Sequence, residues 1–129
     1  MRFVLFAALC VALATTAWAA SEPKKPKPVD IKKEILNSCG SIPFGPTLVM
    51  DAKNATKEEM ENAKQDVQTF ITQVDSYQDC MIRLANTLAE RLSDNDKKLM
   101  AAAIDRSQEE KEALGNDYNK LVDQYNKLH

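Results

Sequence analysis

The feature that most constrains this chain is an apolar repeat that runs for more than four heptads without a glycine or a proline. Its members recur at spacings of three and four, which is the periodicity of one face of an α-helix and not of a strand. They are Met60, Ala63, Val67, Phe70, Val74, Tyr77, Met81, Leu84 and Leu88. Thr56 and Glu59 precede the repeat at the spacing of a capping box. We therefore predict a long helix that begins after Thr56.

A second apolar stripe with the same rhythm follows, and Ser93 with the acidic residues after it predicts the N-cap of a second long helix. The stripe consists of Met100, Ile104, Leu114, Tyr118, Leu121, Tyr125 and Leu128. Two long helices joined by two or three residues must fold back on each other. With the bend at Ser93–Asp94, the two stripes pair from Leu88 opposite Met100 to Met60 opposite Leu128. We predict an all-α, coiled-coil-like antiparallel hairpin over residues 56–129.

Two levels of this hairpin break the apolar pairing. Met81 faces Ser107 and Tyr77 faces Lys111, so the second long helix is polar where the first stays apolar. Lysine at such a place usually extends its charged end to water. We predict that Phe44 and its neighbours cover this gap, and that the groove between the loop and the second long helix, floored by Lys111, is a candidate ligand site.

The first 19 residues have the features of a segment that is cleaved from the mature protein. Residues 1–19 combine Arg2, an apolar core of about 12 residues and the small-x-small pattern Ala17-Trp18-Ala19, as in a secretory signal peptide. The core is too short to cross a hydrocarbon layer about 30 Å thick. Cys10 lies inside the core behind a bulky leucine, so we do not interpret it as a lipidation site. We expect cleavage near Ala19/Ala20, a periplasmic or secreted protein, and no transmembrane segment in the mature chain.

Two cysteines, Cys39 and Cys80, remain after cleavage. An exported chain meets an oxidising compartment, where a pair of cysteines usually forms a disulfide. Metal ligation and redox catalysis are the rival interpretations, but the chain has no Cys-x-x-Cys motif and its one histidine is His129. We predict a Cys39–Cys80 disulfide that ties the loop to the hairpin.

The part between the leader and the hairpin divides into an arm and a compact segment. Residues 20–29 alternate lysine with proline, which predicts an extended, solvated basic arm. Residues 30–55 begin with a short helix between Asp30, as N-cap, and Gly40, with Ile31, Ile35 and Leu36 on its apolar side. A loop rich in proline and glycine follows, and its apolar residues require it to pack on the hairpin.

Composition and motifs exclude several classes of function. The chain carries a net charge of −2, which rules out a nucleic-acid binder that works by bulk positive charge. Asp94-Asn95-Asp96 resembles the start of a calcium loop, but Lys98 stands where a ligand belongs. Asn54-Ala55-Thr56 is a glycosylation sequon that has meaning only in a eukaryote. We predict no catalytic residue, no metal and no cofactor.

The order of Cys39, a loop, Ala-Thr-Lys-Glu-Glu-Met at 55–60, a helix and Tyr-Gln-Asp-Cys-Met at 77–81 resembles a group of small, uncharacterised exported helical proteins of proteobacteria. The resemblance covers about residues 39–81. It implies a periplasmic or secreted bacterial helical protein with Cys39 paired to Cys80, and it implies no activity. The loop from Ile42 to Asp51 departs from the group's compact Pro-x-Gly spacing.

Together these features indicate a non-enzymatic helical hairpin of the bacterial envelope that binds or scaffolds a protein or envelope component. The alternative is a structural homodimer, in which two hairpins form a four-helix bundle. Ile71, Ala85 and Leu92 lie beside core positions and widen the apolar stripe, which favours additional burial.

Overall fold

A computed structural model describes residues 24–48 and 50–129, so the leader and its cleavage site lie outside the described residues. This part of the chain contains three helices and no strand: α1 (Ile31–Ser38), α2 (Lys57–Thr87) and α3 (Asp94–Leu128). The all-α class is confirmed, and α2 and α3 pack along each other as the two arms of the hairpin.

Helix α2 forms as its apolar periodicity predicts. The capping box is present, because the Thr56 amide donates to Glu59 Oε2 at 2.7 Å and the Glu59 amide donates to Thr56 Oγ1 at 3.2 Å. These bonds favour the charged carboxylate and lower the pKa of Glu59. All eight stripe residues within α2 are buried, and Val74 and Met81 are fully inaccessible to solvent.

Helix α3 begins with a second capping box and continues without interruption through Gly115. The Ser93 amide donates to Asp96 Oδ2 at 2.9 Å and the Asp96 amide donates to Ser93 Oγ at 3.2 Å. Its apolar stripe is less deeply buried than that of α2, since only Met100 and Leu121 are fully covered and Leu128 is 58% exposed. The difference arises because α2 packs against α3, α1 and the loop, whereas α3 has fewer neighbours.

The connection between the long helices is longer than the two or three residues predicted. Helix α2 ends at Thr87, and residues 88–93 make the turn before α3. Leu92 still donates its amide to the Leu88 carbonyl at 3.1 Å, so the backbone keeps a helix-like bond while the chain reverses. Leu88 and Leu92 are both buried, and this burial gives the turn its own apolar support.

Helix α1 lies on α2 near the turn. The Asp30 side chain accepts from the Lys33 amide, and Gly40, at a φ of 77°, follows the helix, as predicted. Ile31 and Ile35 are buried, whereas Leu36 is 62% exposed and lies at the edge of the apolar side. One residue advances the helix by about 100°, which places Leu36 beside the buried face and not within it.

The Cys39–Cys80 disulfide is confirmed, with the two Cα atoms 5.7 Å apart. It fixes the end of α1 to α2, and the loop then runs along the hairpin toward the beginning of α2. A side-chain carbon placed on Gly45 would lie 3.1 Å from Leu114 and 3.3 Å from Phe70. The loop therefore places its backbone close to the middle of the hairpin, where a larger residue would require Leu114 and Phe70 to shift by a few tenths of an ångström.

The core includes one cluster toward each end of the hairpin, and the buried residues Val67, Phe70 and Val74 of α2 lie between the two ends. The turn-end cluster joins α1, the turn and the adjoining parts of α2 and α3, and its buried members are Ile31, Ile35, Tyr77, Met81, Leu84, Leu88, Leu92 and Met100. The open-end cluster is smaller and lies where α2 begins and α3 ends. Its buried members are Ala52, Ala55, Met60 and Leu121.

Candidate binding surface at the turn end

The structure corrects the predicted cover of the polar gap. Phe44 is 75% exposed and does not pack over Tyr77. Ile42 takes that place, since it is partly buried against the turn-end cluster that contains Tyr77. The backbone at Gly45 contacts Phe70 and Leu114, while the ring of the preceding Phe44 stays in solvent.

Tyr77, Met81, Ser107 and Lys111 occupy one level of the hairpin, but they do not line the predicted groove. Met81 and Ser107 are fully inaccessible to solvent. Ser107 Oγ donates to the Ile104 carbonyl at 2.7 Å and accepts from Gln78 Nε2 at 3.1 Å. The polar serine is thus satisfied within the hairpin, and Gln78 closes the gap that the loop was expected to cover.

Lys111 does not form the floor of a groove either. Its Nζ lies 2.7 Å from Asp75 Oδ1, and its side chain retains about a fifth of its accessible surface. Gln78 also donates to Gln108 Oε1 at 3.2 Å. Polar side chains from both long helices therefore cover the seam on the side of the hairpin away from the loop. The interpretation of Lys111 as a lysine that extends to the surface agrees with this position.

Tyr77 is the residue of the predicted site that does face open space. Its side chain is 5% exposed, and its burial raises the pKa of the phenol. Two depressions meet at Tyr77 and Ser41, one on each side of the chain that leaves the disulfide. The loop therefore does shape a surface near Tyr77, although with different neighbours from those predicted.

The first depression, which we call the turn-end hollow, lies between α1, the loop and α3. It has a volume of about 300 Å³, and its apolar wall consists of Ile35, Leu36, Ile42, Leu99 and Ala103, with Tyr77 at the base. Lys32 also lines it, one helical turn before Leu36. An open space with an apolar wall and a cation beside it is suited to a ligand that has an apolar part and a negative charge.

The second depression lies on the α2 side of the disulfide and is polar. It has a volume of about 450 Å³ and is lined chiefly by hydroxyl and amide side chains together with Arg83: Ser38, Ser41, Thr72, Gln73 and Ser76. Its surface resembles the ordinary solvated face of a helix, and none of these groups is a buried polar atom without a partner. Of the two depressions, the turn-end hollow is therefore the better candidate for binding.

Positive charge gathers around the turn end. The basic arm reaches the turn, where Arg91 Nε donates to the Lys27 carbonyl at 3.4 Å, and Val29 packs against the turn-end cluster. Arg106 follows Ala103 by three residues and lies on the same side of α3. Among the described residues the ion pairs join Lys64 to Glu61, Lys111 to Asp75 and Lys120 to Asp117. Lys32 and Arg106 belong to none of these pairs.

The described part of the chain lacks the arrangement that a metal site or a membrane-spanning helix would need. Residues 24–48 and 50–129 contain no group of three or more histidine, cysteine or acidic side chains placed to hold a metal ion. Within these ranges, no helix combines the length and the apolar character needed to cross a bilayer.

Sequence reasoning missed the residues that form the hollow. Leu99 and Ala103 lie one position before the core residues Met100 and Ile104, so they read as the edge of a stripe. The signal for them was present, because the stripe of α3 is widest in this region. What the sequence did not show was that α1 and Ile42 would stand opposite this edge without filling the space.

Comparison with models of known protein families, with curated proteins and with solved structures finds no match to this chain. The resemblance to small exported proteins of proteobacteria therefore stays a prediction that depends on the residues at 39–81.

Proposed function

We propose that this protein is an exported, non-enzymatic helical hairpin of the bacterial envelope that binds a partner at the turn-end hollow. The observation that carries the proposal is that the hollow is open and apolar while the neighbouring core is closely packed. Leu36 is 62% exposed at its wall, and Leu99 and Ala103 are partly exposed. Apolar surface of this kind, rimmed by polar residues, commonly marks a site of interaction.

The construction of the hollow also supports binding. Two of its walls are α1 and the loop, and the Cys39–Cys80 disulfide joins both of them to α2. A site whose walls are fixed before the partner arrives loses less conformational entropy on binding. The position of the disulfide beside the apolar hollow therefore supports a binding role in an oxidising compartment.

Site-specific photo-crosslinking in the exporting cell tests this function. A photo-crosslinking residue at Leu99 should give a covalent adduct, whereas the same residue at Leu128, exposed at the other end of the hairpin, should not. Adding Cys80→Ser should abolish the Leu99 adduct, because α1 and the loop are then no longer fixed. Equal crosslinking at both positions, or none at Leu99, would contradict a binding function at this surface.

The proposed export has a separate test. The intact mass of the purified protein should correspond to a chain that begins at Ala20 or Ser21, less two hydrogens for the disulfide. A mass that retains residues 1–19 would contradict the signal-peptide interpretation and with it the proposed compartment.

The alternative of a structural homodimer depends on the side of the hairpin away from the loop. Ile82 is 50% exposed there, which favours additional burial. Yet Gln78, Gln108 and the Asp75–Lys111 pair occupy the centre of the same side, and burying them in a four-helix bundle would carry a desolvation cost. Light scattering at high concentration distinguishes the two proposals. A dimer that Ile82→Asp converts to monomer would establish the alternative, whereas a strict monomer would remove it.

A further inference from the structure

We propose that the turn-end hollow binds an acidic segment of a partner protein, with one apolar side chain of that segment in the hollow and flanking carboxylates on Lys32 and Arg106. The inference rests on the proposed binding function and names the chemistry of the partner.

The walls of the hollow favour an apolar side chain as its occupant. Leu36, Leu99 and Ala103 leave part of their surface open toward a space of about 300 Å³, and Ile42 and Tyr77 close its base. This volume lies at the lower end of the range for ligand pockets, about 300–1,000 Å³. A large apolar side chain fits such a space, and its burial removes apolar surface on both molecules from water.

Two cations beside the hollow favour a ligand that carries negative charge. Lys32 lines it on α1, and Arg106 lies on the α3 side, one turn beyond Ala103. Both side chains are exposed and belong to none of the ion pairs of the described residues. Lys32 belongs to the α1 wall, and Arg106 lies one turn beyond the α3 wall residue Ala103. An apolar side chain in the hollow would therefore bring its flanking groups toward a positive charge on each side.

The charge of the whole molecule points in the same direction. The segments around the turn end, residues 24–38 and 83–99, contain nine basic and five acidic residues. The remaining sequence, residues 39–82 and 100–129, contains seven basic residues, Arg106 among them, and thirteen acidic residues. An acidic segment is therefore attracted to the turn end and repelled by the remainder of the hairpin, which increases the rate of productive encounter.

The shape of the surface favours a protein segment over a lipid bilayer. A bilayer takes up apolar side chains that project from a protein, whereas most of this apolar surface lies in a shallow depression with α1 at its edge. The exposed lysines of the arm, at positions 24, 25 and 27, could contact an anionic surface by charge alone. Such a contact would leave the hollow unoccupied.

Three synthetic peptides of equal length, with blocked ends, test the proposal on the oxidised protein. The first has leucine between glutamates, the second has alanine between glutamates, and the third has leucine between lysines. The first should bind, and the other two should bind at least about tenfold more weakly. Chemical-shift changes on binding should be centred on Leu36, Leu99 and Ala103. Equal affinity of all three peptides would overturn the proposal.

Matched variants separate the hollow from general electrostatic attraction. Lys32→Glu and Arg106→Glu should each weaken the first peptide about fivefold, and Ala103→Phe, which fills the hollow, should abolish its binding. Lys120→Glu makes the same charge change at the other end of the hairpin and should have little effect. If Lys120→Glu weakens binding as strongly as Lys32→Glu, the attraction is general and the proposed site does not exist.

Anionic phosphatidylglycerol vesicles form a further arm of the experiment. Binding to these vesicles without binding to the first peptide would overturn the proposal in favour of a lipid surface. The failure of the two proposals can be distinguished. A Leu99 photo-adduct in cells without preference for the first peptide leaves the binding function standing and removes only the acidic partner. The absence of the adduct removes the binding function itself.

Discussion

The two ends of the hairpin contain the same pair of helices but are stabilised in different ways. At the turn end, α1, the disulfide and the buried turn residues Leu88 and Leu92 surround the helices and form a cluster of eight buried residues. At the open end the helices have the loop from Pro46 and the segment to Ala55 beside them, and the cluster there contains four buried residues. The end with more neighbours is also the end with the unfilled hollow.

This contrast shows that the density of the core and the openness of the surface are separate properties. Every additional segment at the turn end buries apolar side chains, yet the segments meet at angles that leave a space between them. Toward the open end the loop also leaves a depression, of about 330 Å³, but Asp117, Lys120 and Gln124 line it and make it more polar than the turn-end hollow. A surface suited to binding therefore results from the tethered N-terminal part and not from the long helices alone.

Removal of the disulfide should have the largest effect, and it should act mainly on the turn end. The cysteines are 41 residues apart, and closing a loop of that length stabilises the protein by about 4 kcal/mol in the chain-entropy model. Cys39→Ser with Cys80→Ser should lower the denaturant midpoint and accelerate proteolysis within residues 40–48. The reduced wild-type protein is the matched control and should behave like the variant. Unchanged proteolysis would show that the loop stays on the hairpin without its covalent tie.

Truncation of core residues should distinguish the two clusters. Met81 is fully buried among the many residues of the turn-end cluster, and Met81→Ala should cost about 2–5 kcal/mol. Leu121→Ala should cost less, because the small open-end cluster can relax around the lost side chain. Chemical denaturation measures both, with the half-exposed Ile82→Ala as a control of small effect. A greater cost at Leu121 would reverse the proposed order of the two ends.

Two large apolar residues of the loop, Ile42 and Phe44, differ in how deeply they are buried. Ile42→Ala should destabilise the protein by about 1 kcal/mol, since Ile42 is partly buried against the turn-end cluster. Phe44→Ala should change the stability by less than about 0.5 kcal/mol, since Phe44 is 75% exposed. Thermal unfolding measures both variants. A larger loss at Phe44 would mean that this ring packs on the protein.

The two capping boxes should give small, pH-dependent effects, one at each end of the hairpin. Their bonds lower the pKa of Glu59 and of Asp96 in the folded state. A carboxylate whose pKa is lowered in the folded state stabilises the protein at any pH above its unfolded-state pKa. This contribution is lost as the pH falls through the folded-state pKa. Glu59→Gln and Asp96→Asn should therefore each lower the melting temperature at pH 7.

The difference in melting temperature between each variant and the wild-type protein should become smaller on acidification. It should do so below pH 4.5 for Glu59→Gln and below pH 3.8 for Asp96→Asn. Thermal scans between pH 2 and pH 7 measure the effect. A difference that stays constant over this range would show that the carboxylate charge does not contribute.

The parts of the structure that the sequence predicted are those that depend on neighbours along the chain. Thr56 with Glu59 and Ser93 with Asp96 form capping boxes because each pair is three residues apart in any helix that starts there. The stripe from Met60 to Leu88 is buried because its spacing matches the helical repeat. The errors concern residues whose position depends on distant segments, such as Phe44, which stays exposed while the neighbouring Gly45 contacts Phe70 and Leu114.

The candidate site was likewise predictable only in part: the sequence indicated its location but not its walls. Its place near Tyr77, beside a loop held by Cys39 and Cys80, follows from periodicity and from the number of cysteines. Its walls were not predictable, because Leu36, Leu99 and Lys32 come together only through the angle at which α1 crosses the hairpin. The predicted floor at Lys111 was wrong because Asp75 and Gln78 were available to satisfy the polar residues of α3.

The sequence alone thus determined the three helices, their caps and the covalent tie, since each depends on spacing along the chain and on local hydrogen bonds. Only the tertiary structure decided which side of the hairpin the loop covers, that polar side chains close the other side, and that a space remains between α1 and α3. Those features result from the packing of residues far apart in the chain, where small differences in shape and polarity select one arrangement among many with the same apolar pattern.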